Sequence, residues 1–440
     1  MITFLRILTP LMVLVLGVGH WYLIGYPETS ISKPEREYRQ ISVDPLPLSV
    51  HCPGSFIQVG GPSGTDLGLV ERLGQAEISW TNSVALDLSP EPSTAGFESA
   101  IASGSEQSTR LVSMIQVQAV NQERARGIQA SFCPKAASSG WLPNGFSIAG
   151  GESVLLIANP SLVEALVEIE IHLPQRVVNE RVALAPQGEQ MFSLARYANG
   201  EELFAIRFET NGPEVLVSMQ NRLTSGLTPA GIELAVAGAF PSRSHEFVGL
   251  RELTGGFTLP ELRVYNASEN ATEVVVTALD GQNVEIFRIQ VPASGFGKVD
   301  LEVSDNFQLM KLESPEPVLA AIRSTTINPI LDFAWIQPAE RFRSLNLPLT
   351  EFQNTLVLAN PEARAVELTI TKLDGERVSV QTLVLPALGT TSVQLSGDSV
   401  SIGSEGEFLA ALELLDPAGY SVISPRENAN LGNDLRILTR

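Results

Sequence analysis

Three stretches of one design constrain this chain more than any other feature: Leu155-Leu156-Ile157-Ala158-Asn159-Pro160, Leu356-Val357-Leu358-Ala359-Asn360-Pro361 and the looser Leu262-Arg263-Val264-Tyr265-Asn266-Ala267. Each is a short apolar run stopped by an Asn, whose side chain suits a turn, and each leads through small polar residues into a second strand-like run. A chain that restarts in the same way at intervals of roughly one hundred residues builds one kind of domain repeatedly.

Within the repeats Val167, Ile169 and Ile171 alternate with Glu168, Glu170 and His172, the period of two expected of a sheet with one wet face. Leu279-Asp280-Gly281 and Leu373-Asp374-Gly375 stand at the same offset from their turn Asn and read as hairpin turns. A later strand recurs as Val215-Leu216-Val217-Ser218, Val318-Leu319-Ala320-Ala321 and Phe408-Leu409-Ala410-Ala411, and Gly127-Ile128-Gln129-Ala130 is assigned to that place in the first block. Many short strands and no sustained helical period predict an all-β chain of tandem Ig/FnIII-like antiparallel β-sandwich repeats set end to end as a rod. The expected divisions are a signal anchor or signal peptide at 1–26, an extended stalk at 27–48, and a diverged sandwich with a disulfide at 49–151. Three further sandwiches are expected at 152–245, 246–345 and 346–440. Residues 89–109, rich in Ser, Pro, Gly and Glu, read as a loop.

Residues 7–26 contain no Asp, Glu, Lys or Arg. At about 1.5 Å per residue they span about 30 Å, the thickness of a bilayer's hydrocarbon. Trp21, Tyr22 and Tyr26 at the far end suit the headgroup layer. A cleavable signal peptide is the rival reading, but no Ala-x-Ala site stands near, so an uncleaved anchor is favoured. The expectation is a single-pass transmembrane helix at the cell membrane, with Arg6 inside and the bulk of the chain extracytoplasmic. In such a compartment Cys52 and Cys133, the two cysteines of the sequence, are most simply one disulfide. The net charge of −20 repels phosphate backbones and argues against nucleic acid as a partner.

Arg126-Gly127-Ile128-Gln129-Ala130 leading to Cys133 and Trp141, Gly226-Leu227-Thr228-Pro229-Ala230-Gly231, and Asp332-Phe333-Ala334-Trp335 join the Asn turns as a recognisable set. Together they resemble the actinobacterial family of uncharacterised envelope proteins known as domain of unknown function 5719 (DUF5719). The likeness covers nearly the whole chain after the stalk. It implies an actinobacterial, membrane-tethered, extracytoplasmic protein and brings no established activity. Block three departs from the turn pattern by placing Ala267 where the others have proline.

The residues themselves point away from catalysis. None of His20, His51, His172 and His245 stands at metal-ligand spacing from another. No Gly-x-Ser-x-Gly elbow occurs, and Gly295-Phe296-Gly297-Lys298 lacks the flanks of a phosphate loop. No catalytic, cofactor or metal residue is assigned, and a non-enzyme is expected. Asn266-Ala267-Ser268 has the form of a glycosylation sequon but reads as a turn that uses its own hydrogen bonds. Trp141 and Trp335 are the candidate contacts for a partner or a glycan, with a repeated core role as the competing reading. The function expected is a non-catalytic, membrane-anchored scaffold or interaction protein of the cell envelope, binding an envelope protein. The alternative is an array of carbohydrate-binding modules recognising a cell-wall glycan, which would need an exposed indole face.

Overall fold

A computed structural model describes residues 38–41, 48–60, 66–81, 87–91, 96–103, 113–238, 240–250, 256–280, 283–302, 309–427 and 435–438. The expected anchor at 1–26 lies outside these residues, and among the described residues no helix is long and apolar enough to cross a membrane. The chain forms two compact units. In one, the strands Tyr38–Ile41 and Leu435–Leu438 pair antiparallel, so a strand stands where the sequence reads only as stalk.

The other unit, Pro45–Leu431, is all-β and sandwich-like. Its third sandwich shows the plan most clearly. Seven strands follow in order: Ser242–Val248, Glu261–Asn266, Thr272–Asp280, Asn283–Val291, Phe296–Asp300, Leu309–Thr326 and Asp332–Ile336. The sixth strand is 18 residues long and serves both sheets. Its first half pairs with the first and third strands, and the fourth strand completes that sheet. Its second half pairs with the second and seventh, and the fifth completes the other sheet. The crossing falls at Ser314-Pro315-Glu316-Pro317, between the apolar ends that the two cores bury, where the ladder is interrupted and prolines are tolerated.

The fourth sandwich repeats this pairing with Phe342–Pro348, Asn354–Ala359, Val366–Asp374, Arg377–Leu385, Thr390–Leu395, Ser399–Asp416 and Gly419–Ile423. The second uses Ser139–Gly145, Gly151–Ala158, Ala165–Leu173, Arg176–Leu184, Glu189–Ser193 and Thr228–Val236, with the sixth strand split into Phe204–Thr210 and Leu216–Ser225. The opening strand Ser139–Gly145 precedes residue 152, and the opening strands Ser242–Val248 and Phe342–Pro348 span residues 246 and 346. The first sandwich is the variant. Part of its expected loop at 89–109 is strand: Glu98–Ser103 pairs with both Asp87–Glu91 and Leu48–Cys52. Phe97 and Ser99 are buried there, a signal too sparse to stand out among small residues.

The repeat Asn works identically in three sandwiches. Asn159 Nδ2 donates to the carbonyls of Val163 and Ala185 while Oδ1 accepts from the Ser161 N–H. Asn266 does this with Asn270, Pro292 and Ser268, and Asn360 with Arg364, Pro386 and Glu362. All three are fully buried, so each clamps the turn after the second strand to the turn between the fourth and fifth. Ala267 leaves the clamp unchanged, and Asn266, with its amide enclosed, offers nothing to a glycosylating enzyme. Asn360→Ala should cost about 2–3 kcal/mol, since it strands buried backbone groups. Asn270→Ala, which removes only a surface contact to Glu316, should cost less than about 1 kcal/mol. Urea midpoints of the two variants test the difference.

The expected end-to-end rod is corrected by the way the sandwiches meet. Ile57 and Val59 of the first pack on Val154 and Leu156 of the second, and Arg72 pairs with Glu189 at 2.6 Å. Trp141 and Ala205 of the second meet Tyr265 and Leu319 of the third. Val357, Ala359, Leu409 and Ala411 of the fourth join the core of the third. Ile115, Val117, Ile128 and Ala130 of the first then join the core of the fourth. Each sandwich thus lays one sheet on the next, the fourth returns to the first, and the ring is closed.

Candidate functional site

Closure brings the final strands of the four repeats together on one axis: Ala125–Phe132, Thr228–Val236, Asp332–Ile336 and Gly419–Ile423. They meet in matching register, with Gly127-Ile128, Gly231-Ile232 and Gly419-Tyr420 all set against Asp332-Phe333. Asp332 Oδ2 accepts the N–H groups of Ile128 at 2.9 Å and Tyr420 at 2.8 Å. Its Oδ1 accepts those of Ile232 at 3.1 Å and Phe333 at 2.9 Å. One fully buried carboxylate therefore takes one backbone donor from every sandwich. Its four lone-pair directions are filled, and four N–H groups on facing strands are satisfied.

The three glycines are what make this possible. A Cβ at Gly127 would stand 2.5 Å from Asp332 Oδ1, one at Gly231 2.6 Å, and one at Gly419 2.5 Å from Oδ2. The first, second and fourth sandwiches leave the space and the third fills it.

One residue beyond Ile232, Glu233 is also buried, and its carboxylate accepts from Ser421 Oγ at 3.1 Å and from the Leu234 N–H at 2.8 Å. Burial pushes Glu233 well above the ordinary carboxyl range, and the neighbouring Asp332 pushes it the same way. Burial raises Asp332 to about 7, against the pull of its four N–H donors. In the unfolded chain these groups titrate at 4.5 and 3.8. Their stabilising contribution is therefore fully present below those values, is lost for Asp332 as pH rises through about 7, and for Glu233 is lost as pH rises through its own raised range. Glu233→Gln, neutral at every pH, should lose less stability than wild type between pH ~4 and pH ~8. Urea midpoints at both values check this. An equal pH dependence in variant and wild type would remove Glu233 as a cause.

Along the axis Gln129 donates to Gln118 Oε1, which also accepts the Phe56 N–H. A cavity of about 20 Å³, lined in part by Ser131, Trp335, Gln337 and Arg426, ends it, room for a single water. The buried acids thus face backbone donors and each other rather than an open cleft. Larger recesses lie elsewhere: a shallow groove of about 670 Å³ beside Arg364, Glu367 and Glu405, and one of about 360 Å³ where Arg222 is held by Glu152 at 2.8 Å. Among the described residues no group of three or more His, Cys, Asp or Glu is placed to hold a metal ion.

The residues singled out from sequence fall as follows. Cys52 and Cys133 form a disulfide, with Cα atoms 4.5 Å apart. Trp141 is 9% exposed and lies in the first strand of the second sandwich, between His172 and Tyr265 with ring centroids 5.0 and 5.9 Å away. Trp335 is 3% exposed, lies in the seventh strand of the third, and packs edge-on to Phe333 under the guanidinium of Arg263, 4.9 Å from the ring. The two tryptophans are therefore not equivalent, which corrects their reading as one repeated feature. Both rings are enclosed by protein, so neither offers the open face a sugar platform requires. Sequence reading singles out Gly127, Gly231 and Asp332 as family motif residues without giving them a structural role, and it misses Glu233 and Gly419. It placed Gly127 in the sixth strand, and that misalignment hid the Gly, Gly, Asp, Gly series.

No curated protein matches the chain. Among solved structures, "Crystal Structure of Thermotoga maritima 1070" is 16% identical over 24% of this chain and 96% of that one, with a TM-score of 0.22. A second, a tetra-tandem repeat in the extending region of a large adhesion protein, is 12% identical over 88% of this chain and 92% of that one, with a TM-score of 0.12. At these scores neither likeness bears on fold or role. The family described as "Family of unknown function (DUF5719)" matches residues 92–396, more than half of the chain, and the protein belongs to that family.

Proposed function

We propose that this protein is a non-catalytic scaffold of the cell envelope, anchored in the membrane by residues 7–26 and presenting a ring of four sandwiches to an envelope protein partner on the outer side. The observation that carries the reading is how the ring uses its groups. Buried polar side chains such as Asp332 and Asn360 are committed to backbone hydrogen bonds that fix the shape, while apolar side chains such as Val284, Ile286, Val378 and Val380 are left outward on sheet faces. Rigid spacing with apolar outer faces suits holding a partner. The Cys52–Cys133 disulfide supports an oxidising compartment, and the charge-free run at 7–26 supports the anchor. Proximity crosslinking of the full-length protein in membranes, with protease added outside intact cells, tests this. The proposal expects defined membrane proteins among the products and cleavage within the sandwiches. Retention on cell-wall polysaccharide without protein partners, or full protection from protease, would overturn it.

A further inference from the structure

The fourth strand of each repeat ends its sheet, and the three copies differ in how that edge is guarded. Arg176–Leu184, Asn283–Val291 and Arg377–Leu385 each pair on one side only, with no strand on the other among the described residues. In the second sandwich the edge carries Glu180 and Arg181, and Arg181 is paired with Glu168 at 2.7 Å. In the third it carries Glu285 and Arg288, and Arg288 is paired with Glu273 at 2.9 Å. In the fourth, no charge follows Arg377: the strand runs Val378-Ser379-Val380-Gln381-Thr382-Leu383-Val384-Leu385. Val378, Val380 and Val384 are 63%, 64% and 56% exposed on one face. Charges are the usual means by which a sheet edge is kept from pairing with another chain. This edge is nine residues long, free of proline and largely free of charge, and its outward side pairs with no strand among the described residues.

We propose that Arg377–Leu385 pairs antiparallel with the same strand of a second copy, joining two four-stranded sheets into one of eight across a two-fold axis at Gln381. The sequence is self-complementary in that register. Val378 faces Val384 of the second copy, Val380 faces Thr382, Ser379 faces Leu383, and no two charges of like sign are opposed. The same operation on Arg176–Leu184 would set Glu180 against Glu180, which like-charge repulsion disfavours. A second copy therefore fits this edge and not that of the second sandwich, while the third sandwich's edge keeps the charges Glu285 and Arg288 that the fourth lacks. The inference concerns self-association and stands apart from the envelope-scaffold reading.

The test is sedimentation of the full-length chain in mild detergent at micromolar concentration, with Val380→Lys beside it. Val380 is on the surface, so the variant keeps its fold, and near-ultraviolet circular dichroism checks that. A wild-type dimer that Val380→Lys converts to monomer supports the proposal. So does a Gln381→Cys variant that forms an intermolecular disulfide on oxidation while Glu180→Cys does not. A monomeric wild type, or a dimer indifferent to Val380→Lys, overturns it. The second result would also catch association through the apolar N-terminal segment, since that would persist in the variant.

Discussion

Asp332→Ala should unfold at much lower denaturant than wild type, with a loss of about 4 kcal/mol or more. The substitution leaves the N–H groups of Ile128, Ile232, Phe333 and Tyr420 buried without an acceptor, and each such group costs about 1–3 kcal/mol. Gly127→Ala should also destabilise, because its φ of 147° disfavours a side chain and its Cβ would meet the carboxylate of Asp332. The pair makes a stricter test than either alone. With the carboxylate gone the added methyl has room, so the double variant should lose less than the two single losses together. Equal additivity in urea unfolding would mean that Gly127 and Asp332 do not share one space.

Removing the Cys52–Cys133 disulfide should cost about 4–5 kcal/mol if chain entropy governs, because the closed loop is long, with a sequence separation of 81. The effect should not stay local. The first sandwich packs Phe56 with Ile232, and Ile57 and Val59 with Val154 and Leu156, of the second, and it lends Ile115, Val117, Ile128, Ala130 and Phe132 to the core of the fourth. Loosening it uncovers Phe342, Leu345 and Leu347 on the other side of the closing seam. Reduced protein, or Cys52→Ser with Cys133→Ser, should exchange amide hydrogens faster in Phe342–Pro348 as well as in the first sandwich. Acceleration confined to residues before 133 would show that the first sandwich is a separate domain and not a member of a ring.

The repeat and its strands were legible because their signals are local. An apolar run stopped by Asn159, Asn266 or Asn360 reports a strand and its turn, and the alternation at Val167, Ile169 and Ile171 reports one buried face. Closure was not legible, because it rests on pairs far apart in sequence, such as Ile128 with Asp332, separated by 204 residues. Burial of Trp141 and Trp335 was hidden for the same reason, since Trp141 meets the ring of Tyr265 across a seam between sandwiches. The glycines did carry a signal. Gly127, Gly231 and Gly419 each precede an apolar or aromatic residue at the start of a final strand, and aligning final strands rather than sixth strands would have set Asp332 against them.

Hydrogen exchange at four amides tests the closed ring most directly. Ile128, Ile232, Phe333 and Tyr420 belong to four different sandwiches and share one acceptor. They should be among the slowest amides in the protein, and all four should speed up together in Asp332→Ala. If they exchange at unrelated rates in wild type, or if the variant changes only Phe333 beside it, the sandwiches do not meet at a common axis and the chain is an open array after all.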